Sequence, residues 1–145
     1  MKVMTHKGAA EFVVIGLGPG ELLLESVEKA IKEHDIRNGA VVSGIGTLKT
    51  CHMHYITHAN IPSDNEFFTL KEPLELLSVS GIIANGEPHL HAVVSYADTA
   101  ARGGHVEPGC EVAYLAELVI QKFNDFELKR HLDKETNLKL IGPKG

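Results

Sequence analysis

One segment near the start of the chain has helical periodicity, and nearly everything after it has the pattern of β-strands. Apolar residues recur at helical spacing from Leu23 to Ile31, which predicts one amphipathic helix over about Glu21 to His34. An Asn-Gly turn signal at Asn38 follows it. The sequence therefore predicts an α+β fold with a mainly antiparallel, strongly curved or barrel-like sheet and one main helix near the N-terminus.

The strands are predicted from apolar and β-branched runs that are separated by Gly, Pro and Asn. In chain order they are Glu11–Leu17, one or two strands in Ala40–Thr57, two in Glu66–Ala84 on either side of Pro73, then Pro88–Tyr96 and Cys110–Phe123. Asn85-Gly86 predicts a hairpin turn. A loop is expected at Gly103–Gly109, and the tail Phe126–Pro143 is expected to form a strand followed by irregular chain.

The composition indicates the class of protein. The chain is 43% hydrophobic and 23% charged, which is typical of a globular domain. Its net charge of −5 argues against broad binding to nucleic-acid phosphates, which requires a basic surface. No linker or repeat divides the chain, so one domain over residues 1–145 is expected.

Cysteine use and the absence of targeting patterns predict the compartment. Cys51 and Cys110 form no CxxC pair, as is usual for reduced intracellular proteins. The chain opens with no signal-peptide pattern, and no apolar run is long enough to span a membrane. A cytoplasmic protein without a membrane partner is therefore expected.

Histidine carries the strongest chemical signal, through its spacing. In a strand, His89 and His91 project from the same face. A hairpin with its turn near Asp98 would set His105 opposite His91, with Cβ atoms about 4.5–5.5 Å apart. Residues 97–104 are small or polar and suit that loop, although a bulge at Gly103-Gly104 would shift the register by one residue.

Three imidazoles that face one point suit Zn²⁺ or another divalent transition metal, with the fourth position left to water or a small-molecule ligand. The alternative interpretation is that His89, His91 and His105 lie at the edge of the core and bond to the backbone. A second set also competes, because His52 and His54 share a strand face and His58 lies beyond them. That set is typical of a polar sheet face or a subunit contact, and a second metal pair stays open there.

Two glycine stretches have structural explanations. "GLGPGE", from Gly16, follows a strand and precedes a helix, but its glycine spacing and the lack of a parallel βαβ unit argue against dinucleotide binding. It predicts a turn and a helix start, with Glu21 complementing the helix dipole. "SGIG", from Ser43 to Gly46, predicts a bend or a close backbone approach within a strand.

Five stretches together, in this order and spacing, resemble the plants-and-prokaryotes-conserved (PPC) domain in its stand-alone prokaryotic form. They are "VVSGIGTL" (Val41–Leu48), "LELLSVSGII" (Leu74–Ile83), "PHLHAVVS" (Pro88–Ser95), "RGGHVEPG" (Arg102–Gly109) and "VAYLAELVI" (Val112–Ile120). The resemblance covers about Ala10 to Leu140 and implies a compact domain that assembles as a homotrimer. The HxH and GGH histidines of this chain match the prokaryotic members, so the resemblance adds support for metal at His89, His91 and His105.

The resemblance also bears on two alternative functions. In plants the domain accompanies AT-hook segments, but this chain has no Arg-Gly-Arg-Pro core, so nucleic acid is not expected as a partner and a DNA-binding or regulatory role is only an alternative. The fold is similar to acetolactate decarboxylase, whose zinc is held by three histidines, which suggests a zinc-dependent lyase-like enzyme acting on a small oxo or hydroxy acid. For that chemistry Arg102 is the candidate to hold a carboxylate. Glu111 and Glu117 are candidate general acids or bases, with solvated or subunit-contact roles as the competing interpretation.

Overall fold

The fold is one helix against a long series of antiparallel strands. A computed structural model describes residues 1–5, 7–96 and 100–145. The elements in chain order are β1 (Ala10–Leu17), α1 (Leu23–Glu33), β2 (Gly39–Ile56), β3 (Asn65–Leu70), β4 (Leu74–Ala84), β5 (Glu87–Tyr96), β6 (Ala100–Val106), β7 (Glu111–Phe123), β8 (Leu128–Leu132) and β9 (Lys139–Pro143). Every pairing between these strands is antiparallel, which confirms the predicted α+β class.

Strand β2 organises the sheet because it pairs with four other strands. It pairs with β4 and β7 along its first part and with β3 and β6 further along. The main sheet runs in the order β1-β7-β2-β4-β5-β6, and β6 then returns to β2. Because β2, β4, β5 and β6 close on one another, the sheet is strongly curved and barrel-like, as the sequence predicts.

Glycines allow β2 to cross its neighbours at close range. A Cβ atom on Gly44 would lie 2.7 Å from the Cβ of Val79, and one on Gly46 would lie 2.4 Å from the carbonyl oxygen of Leu115. Real Cβ atoms do not approach other atoms so closely, so only glycine fits at these two positions. The close backbone approach predicted for "SGIG" is therefore confirmed.

Helix α1 covers one face of the sheet with an apolar stripe. Its buried residues, Leu23, Val27, Ala30 and Ile31, follow the predicted helical spacing. The helix begins at Leu23, two residues later than expected, because Glu21 is used in the preceding turn. There the Gly18 backbone N–H donates to the Glu21 carboxylate at 2.6 Å. Within the described part of the chain, no helix combines the length and the hydropathy needed to cross a membrane.

Two expectations about irregular segments are wrong. Residues 100–106 were expected in a loop but belong to β6, which pairs with β5 without a register shift, so no bulge forms at Gly103-Gly104. Gly and polar residues weaken strand propensity, but the pairing of β6 with both β5 and β2 overrides it. The tail forms a hairpin of β8 and β9 instead of a strand and irregular chain. The turn predicted near Asp98 lies outside the described residues.

A buried amide ties this tail hairpin to the main sheet. The Asn38 side chain is 4% exposed, and its Oδ1 accepts hydrogen bonds from the backbone N–H groups of Asn85 and Leu128 at 3.1 and 3.0 Å. A buried carbonyl that lost these donors would cost free energy, so the pairing is maintained. The hairpin is thereby held next to the β4–β5 turn.

The contact between β6 and β2 gives a test of the fold. A Cβ on Gly104 would lie 2.5 Å from the carbonyl oxygen of His54, so Gly104→Ala should force the two strands apart. We expect the free energy of unfolding to fall by about 1–3 kcal/mol in urea denaturation. Gly16→Ala is the matched control, because a Cβ there has no atom within 4 Å and should change stability by less than about 0.5 kcal/mol. Equal losses in the two variants would contradict the packing described for β6.

Candidate metal centre

Three histidines converge where β5 and β6 pair. His91 lies opposite His105 in the antiparallel register, as the sequence predicts, and His89 lies two residues from His91 on the same face. The Nε2 atoms of His89 and His91 are 3.2 Å apart. One ring nitrogen from each of the three residues lies within 4.8 Å of the other two. Strand register alone therefore gathers three imidazoles around one point.

The spacing of these nitrogens fits a divalent metal. Zn–N bonds of about 2.0–2.1 Å in a tetrahedron set ligand nitrogens about 3.3 Å apart. The His89–His91 separation of 3.2 Å is close to that value, and the His105 nitrogen, within 4.8 Å of the other two, would move closer to them when an ion binds. Imidazole nitrogens suit zinc and other late transition metals. His89 and His91 are exposed and His105 is half-buried, so the point they face is open to solvent.

Sequence reasoning missed a second group that shares His105. On β2, His54 lies opposite His105, and their ring centroids are 4.7 Å apart. His54 Nδ1 lies 2.6 Å from Glu107 Oε1, and one ligand atom each from His54, His105 and Glu107 lie within 4.8 Å of one another. Glu107 was detectable in principle, because it follows His105 by two residues, and residues at this spacing in extended chain project to the same side.

Glu107 orients the His54 ring. Its carboxylate contacts Nδ1, so Nε2 is the ring nitrogen of His54 on the side away from Glu107. A carboxylate on the far nitrogen is the usual partner of a histidine in a metal centre. Both side chains are largely buried, 18% and 22% exposed, so water competes little with this bond.

The other members of the competing set do not join the centre. The Nδ1 of His52 pairs with the Pro108 carbonyl oxygen at 3.1 Å. The Nε2 of His58 pairs with Asp64 at 3.3 Å. Among the described residues, both three-ligand groups contain His105, and His54 is the one member of the competing set that belongs to either of them.

The surroundings of the centre lower the pKa of two of its histidines, His105 and His89. Burial, and then the neighbouring His89 and His54, lower the pKa of His105 from 6.5 to about 4, although the Glu107 charge acts in the opposite direction. Burial is also the main cause that lowers the pKa of His89, followed by the charge of Arg130. A metal binds the unprotonated ring. A lowered pKa therefore means that protons compete only weakly with the ion for these ring nitrogens at pH 7.

A cavity of about 700 Å³ opens over the histidines. Its wall combines the imidazoles with apolar and small residues, namely His54, Tyr55, Ile56, Ser78, Ser80, His89, His91, Ala92, Val93, Gly103, Gly104 and His105. This volume is within the usual range for small-molecule sites. A ligand of small-metabolite size could therefore reach the point that the three imidazoles face.

The three predicted catalytic candidates lie elsewhere. Arg102 is an odd number of residues from His105 on β6, so it leaves the opposite face, where its guanidinium carbon lies 3.8 Å from the ring centroid of Phe68. Glu111 forms an ion pair with Lys49 at 2.7 Å. Glu117 is exposed on β7. None of the three lines the cavity at the centre.

The chain is a small α+β domain in which one helix covers an antiparallel sheet and a group of histidines lies where the sheet closes. The chain belongs to the Plants and Prokaryotes Conserved (PCC) domain family, whose family model matches residues 4–124. This confirms the resemblance that the five sequence stretches indicate.

Several known proteins are similar to the chain. A plant- and prokaryote-conserved protein from Pyrococcus horikoshii is 25% identical with a TM-score of 0.80, and 99% of each chain is covered. A metal-containing protein from Archaeoglobus fulgidus is 26% identical with a TM-score of 0.79, covering 97% of this chain and 98% of that one. Two bifunctional GlmU proteins from Synechococcus strains are 28% and 29% identical over 129 residues, or 89% of this chain. The chain spans about a fifth of the length of these curated relatives, 20% in each case.

The lowered pKa of His105 predicts how stability depends on pH without metal. Between pH 6.5 and about 4 the unfolded chain binds a proton at this residue that the folded chain does not. The contribution of neutral His105 is therefore fully present above pH 6.5 and is lost as pH falls towards 4. We expect urea denaturation in EDTA to show a steeper loss of stability across this interval than in His105→Gln. Carboxyl groups titrate in both proteins and cancel in the difference, so identical pH slopes would contradict this account.

Proposed function

We propose that the chain is a metal-binding PCC-domain protein that holds one divalent ion, zinc, on His89, His91 and His105. The observation that carries the proposal is the β5–β6 register, which sets three ring nitrogens within 4.8 Å of one another. The similarity to a metal-containing protein from Archaeoglobus fulgidus, at 26% identity over 97% of the chain, supports it.

The residues around the ion would have separate roles. When bound, zinc would supply a Lewis acid at the position that the three imidazoles leave open. Glu107 would hold the ring of His54 beside His105 and place a negative charge on that side of the centre. The cavity of about 700 Å³ would admit a small molecule to the open position.

Catalysis and DNA binding are not part of the proposal. Arg102, Glu111 and Glu117, the candidates for a lyase-like reaction, do not line the cavity. The net charge of −5 is unfavourable for binding to phosphates. Metal and small-molecule binding are the functions that the residues at the centre support.

We further propose that the whole chain, residues 1–145, forms one domain and that three copies assemble. The face of β1, β2 and β7 that α1 does not cover exposes large apolar side chains. They include Phe12 (64% exposed), Val14 (73%), Ile45 (52%) and Leu115 (50%). Phe12 and Val14 are two residues apart in β1, so they project from the same face. Strand β1 pairs with β7, and β7 pairs with β2, so the three strands lie side by side. The exposed Glu117 lies on the same face, opposite Ile45. A largely apolar face of this kind is typical of a subunit interface.

Metal analysis tests the proposed centre. After incubation with zinc and exhaustive dialysis, the original chain should retain about one zinc per chain by inductively coupled plasma mass spectrometry. A variant combining His89→Ala, His91→Ala and His105→Ala should retain almost none. His34→Ala, which removes an exposed histidine at the end of α1, is the control and should bind zinc like the original chain. Equal zinc content in the triple variant and the control would exclude the proposed ligands.

Light scattering after size-exclusion chromatography tests the assembly. We expect a mass of about three times the chain mass of 15.7 kDa. Val14→Lys should shift the protein towards the monomer, because it places a charge in the apolar face. Leu138→Lys, an equally drastic change at an exposed residue outside the main sheet, should leave the mass unchanged. A monomeric original chain, or a trimer that tolerates Val14→Lys, would argue against this interface.

A further inference from the structure

A second cavity, of about 390 Å³, adjoins the metal centre on the side of the tail hairpin. It shares Ser80, His89 and His91 with the cavity over the histidines. Its remaining wall comes from β4 and from the hairpin, namely Gly81, Ile82, Arg130, Lys139, Leu140 and Ile141. The tail hairpin therefore contributes directly to the surroundings of His89 and His91.

The hairpin presents two cationic side chains on one face. Arg130 pairs with Ile141, and Leu132 pairs with Lys139, so Arg130 and Lys139 project to the same side of this two-stranded sheet. Residues in this diagonal arrangement are close enough for long side chains to act on one ligand. Both residues lie beyond residues 4–124, the part of the chain that the family model matches.

Arg130 is held in place by two hydrogen bonds, and some of its N–H donors are not used by them. Its Nη1 donates to the Glu87 carbonyl oxygen at 3.0 Å and its Nη2 donates to the Ile82 carbonyl oxygen at 2.9 Å. A guanidinium has five N–H donors in a rigid plane, so three remain. The residue is half-buried, and burial lowers its pKa, but arginine stays charged at neutral pH. A fixed, partly desolvated guanidinium with free donors is well suited to bind an oxyanion.

The positive charge in this cavity is opposed by Glu87, which lies outside the wall and whose charge acts on Arg130. No Asp or Glu is among the described residues that line it, and Lys139 forms no ion pair within the described part of the chain. Glu107, the carboxylate of the centre, lies on the other side, against His54. An ion at the histidines would add further positive charge, so an anion is the ligand that this side of the centre favours.

We propose that this cavity binds a carboxylate of a small organic acid through Arg130 and Lys139, with the rest of the molecule reaching towards His89 and His91. Ser80, which lines both cavities, is placed to hydrogen-bond the part of the ligand between the two ends. The end at the histidines rests on the proposed metal function, whereas the end at Arg130 and Lys139 does not. In this proposal, specificity for the acid depends on Arg130 and Lys139 of the tail hairpin.

Calorimetry with succinate tests the proposal on zinc-treated and on EDTA-treated protein at low salt. We expect saturable binding to both forms, tighter with zinc, and amide chemical shift changes at Gly81 and Ile141 in NMR spectra. Succinamide, which has the same carbon skeleton without the charges, should not bind measurably. Lys139→Gln and Arg130→Gln should each weaken succinate binding about tenfold or more, the usual size of a lost charge-assisted hydrogen bond.

The controls separate this proposal from the metal proposal. Lys134→Gln, in the turn of the same hairpin and outside the cavity, should leave the affinity unchanged. Arg130→Gln also removes two bonds that anchor the hairpin, so the decisive variant is Lys139→Gln, whose side chain forms no described bond. If the chain retains no zinc, binding to the EDTA-treated form that depends on Lys139 would still support the proposal. Absence of succinate binding in both forms, or binding that Lys139→Gln and Arg130→Gln leave unchanged, would overturn it.

Discussion

The structure depends on the packing of β6 between β5 and β2. Gly103 and Gly104 allow this, because a Cβ at the first would lie 2.9 Å from the Ala92 carbonyl oxygen and one at the second 2.5 Å from that of His54. The strand closes the sheet and also sets His105 opposite both His91 and His54. The same two glycines therefore determine the curvature of the sheet and the position of the central histidine. A larger residue at either position would push β6 away from β5 or β2. It would therefore move His105 without changing any of the histidines.

The charges around the histidines are arranged asymmetrically. On the β2 side, Glu107 accepts from His54 in a largely buried pair. On the side of the tail hairpin, Arg130 and Lys139 face a cavity whose described wall has no acidic residue. An ion at the three histidines would have Glu107, bonded to the His54 ring, on the β2 side. It would have the proposed anion site at Arg130 and Lys139 on the side of the tail hairpin. Under the two proposals above, the metal would bind at the histidines and a small acid would bind at the open side.

Much of the centre could be predicted from sequence because it is local. The alternation of a strand places His89 with His91, and the length of one hairpin places His105 opposite, so no distant contact is needed. The positions of His54 and Glu107 could not be predicted without knowing that β6 pairs with β2 as well as with β5. That pairing joins distant segments, and His54 and Glu107 are 53 residues apart in the chain. The position of Arg130 depends on the polar tail docking on the sheet through Asn38, and sequence periodicity gives no sign of that contact. Gly-rich β6 was expected as a loop because its pairing on both sides, rather than its own propensity, makes it a strand.

X-ray absorption at the zinc edge tests the central claim most directly, because it reports the atoms bound to the ion. For zinc-loaded protein the account predicts three imidazole nitrogens at about 2.0–2.1 Å, completed by a further light atom and no sulfur. Anomalous diffraction at the same edge should place the ion between His89, His91 and His105. A spectrum with sulfur ligands, or an ion held away from His89 and His91, would contradict the claim that β5 and β6 build the metal centre.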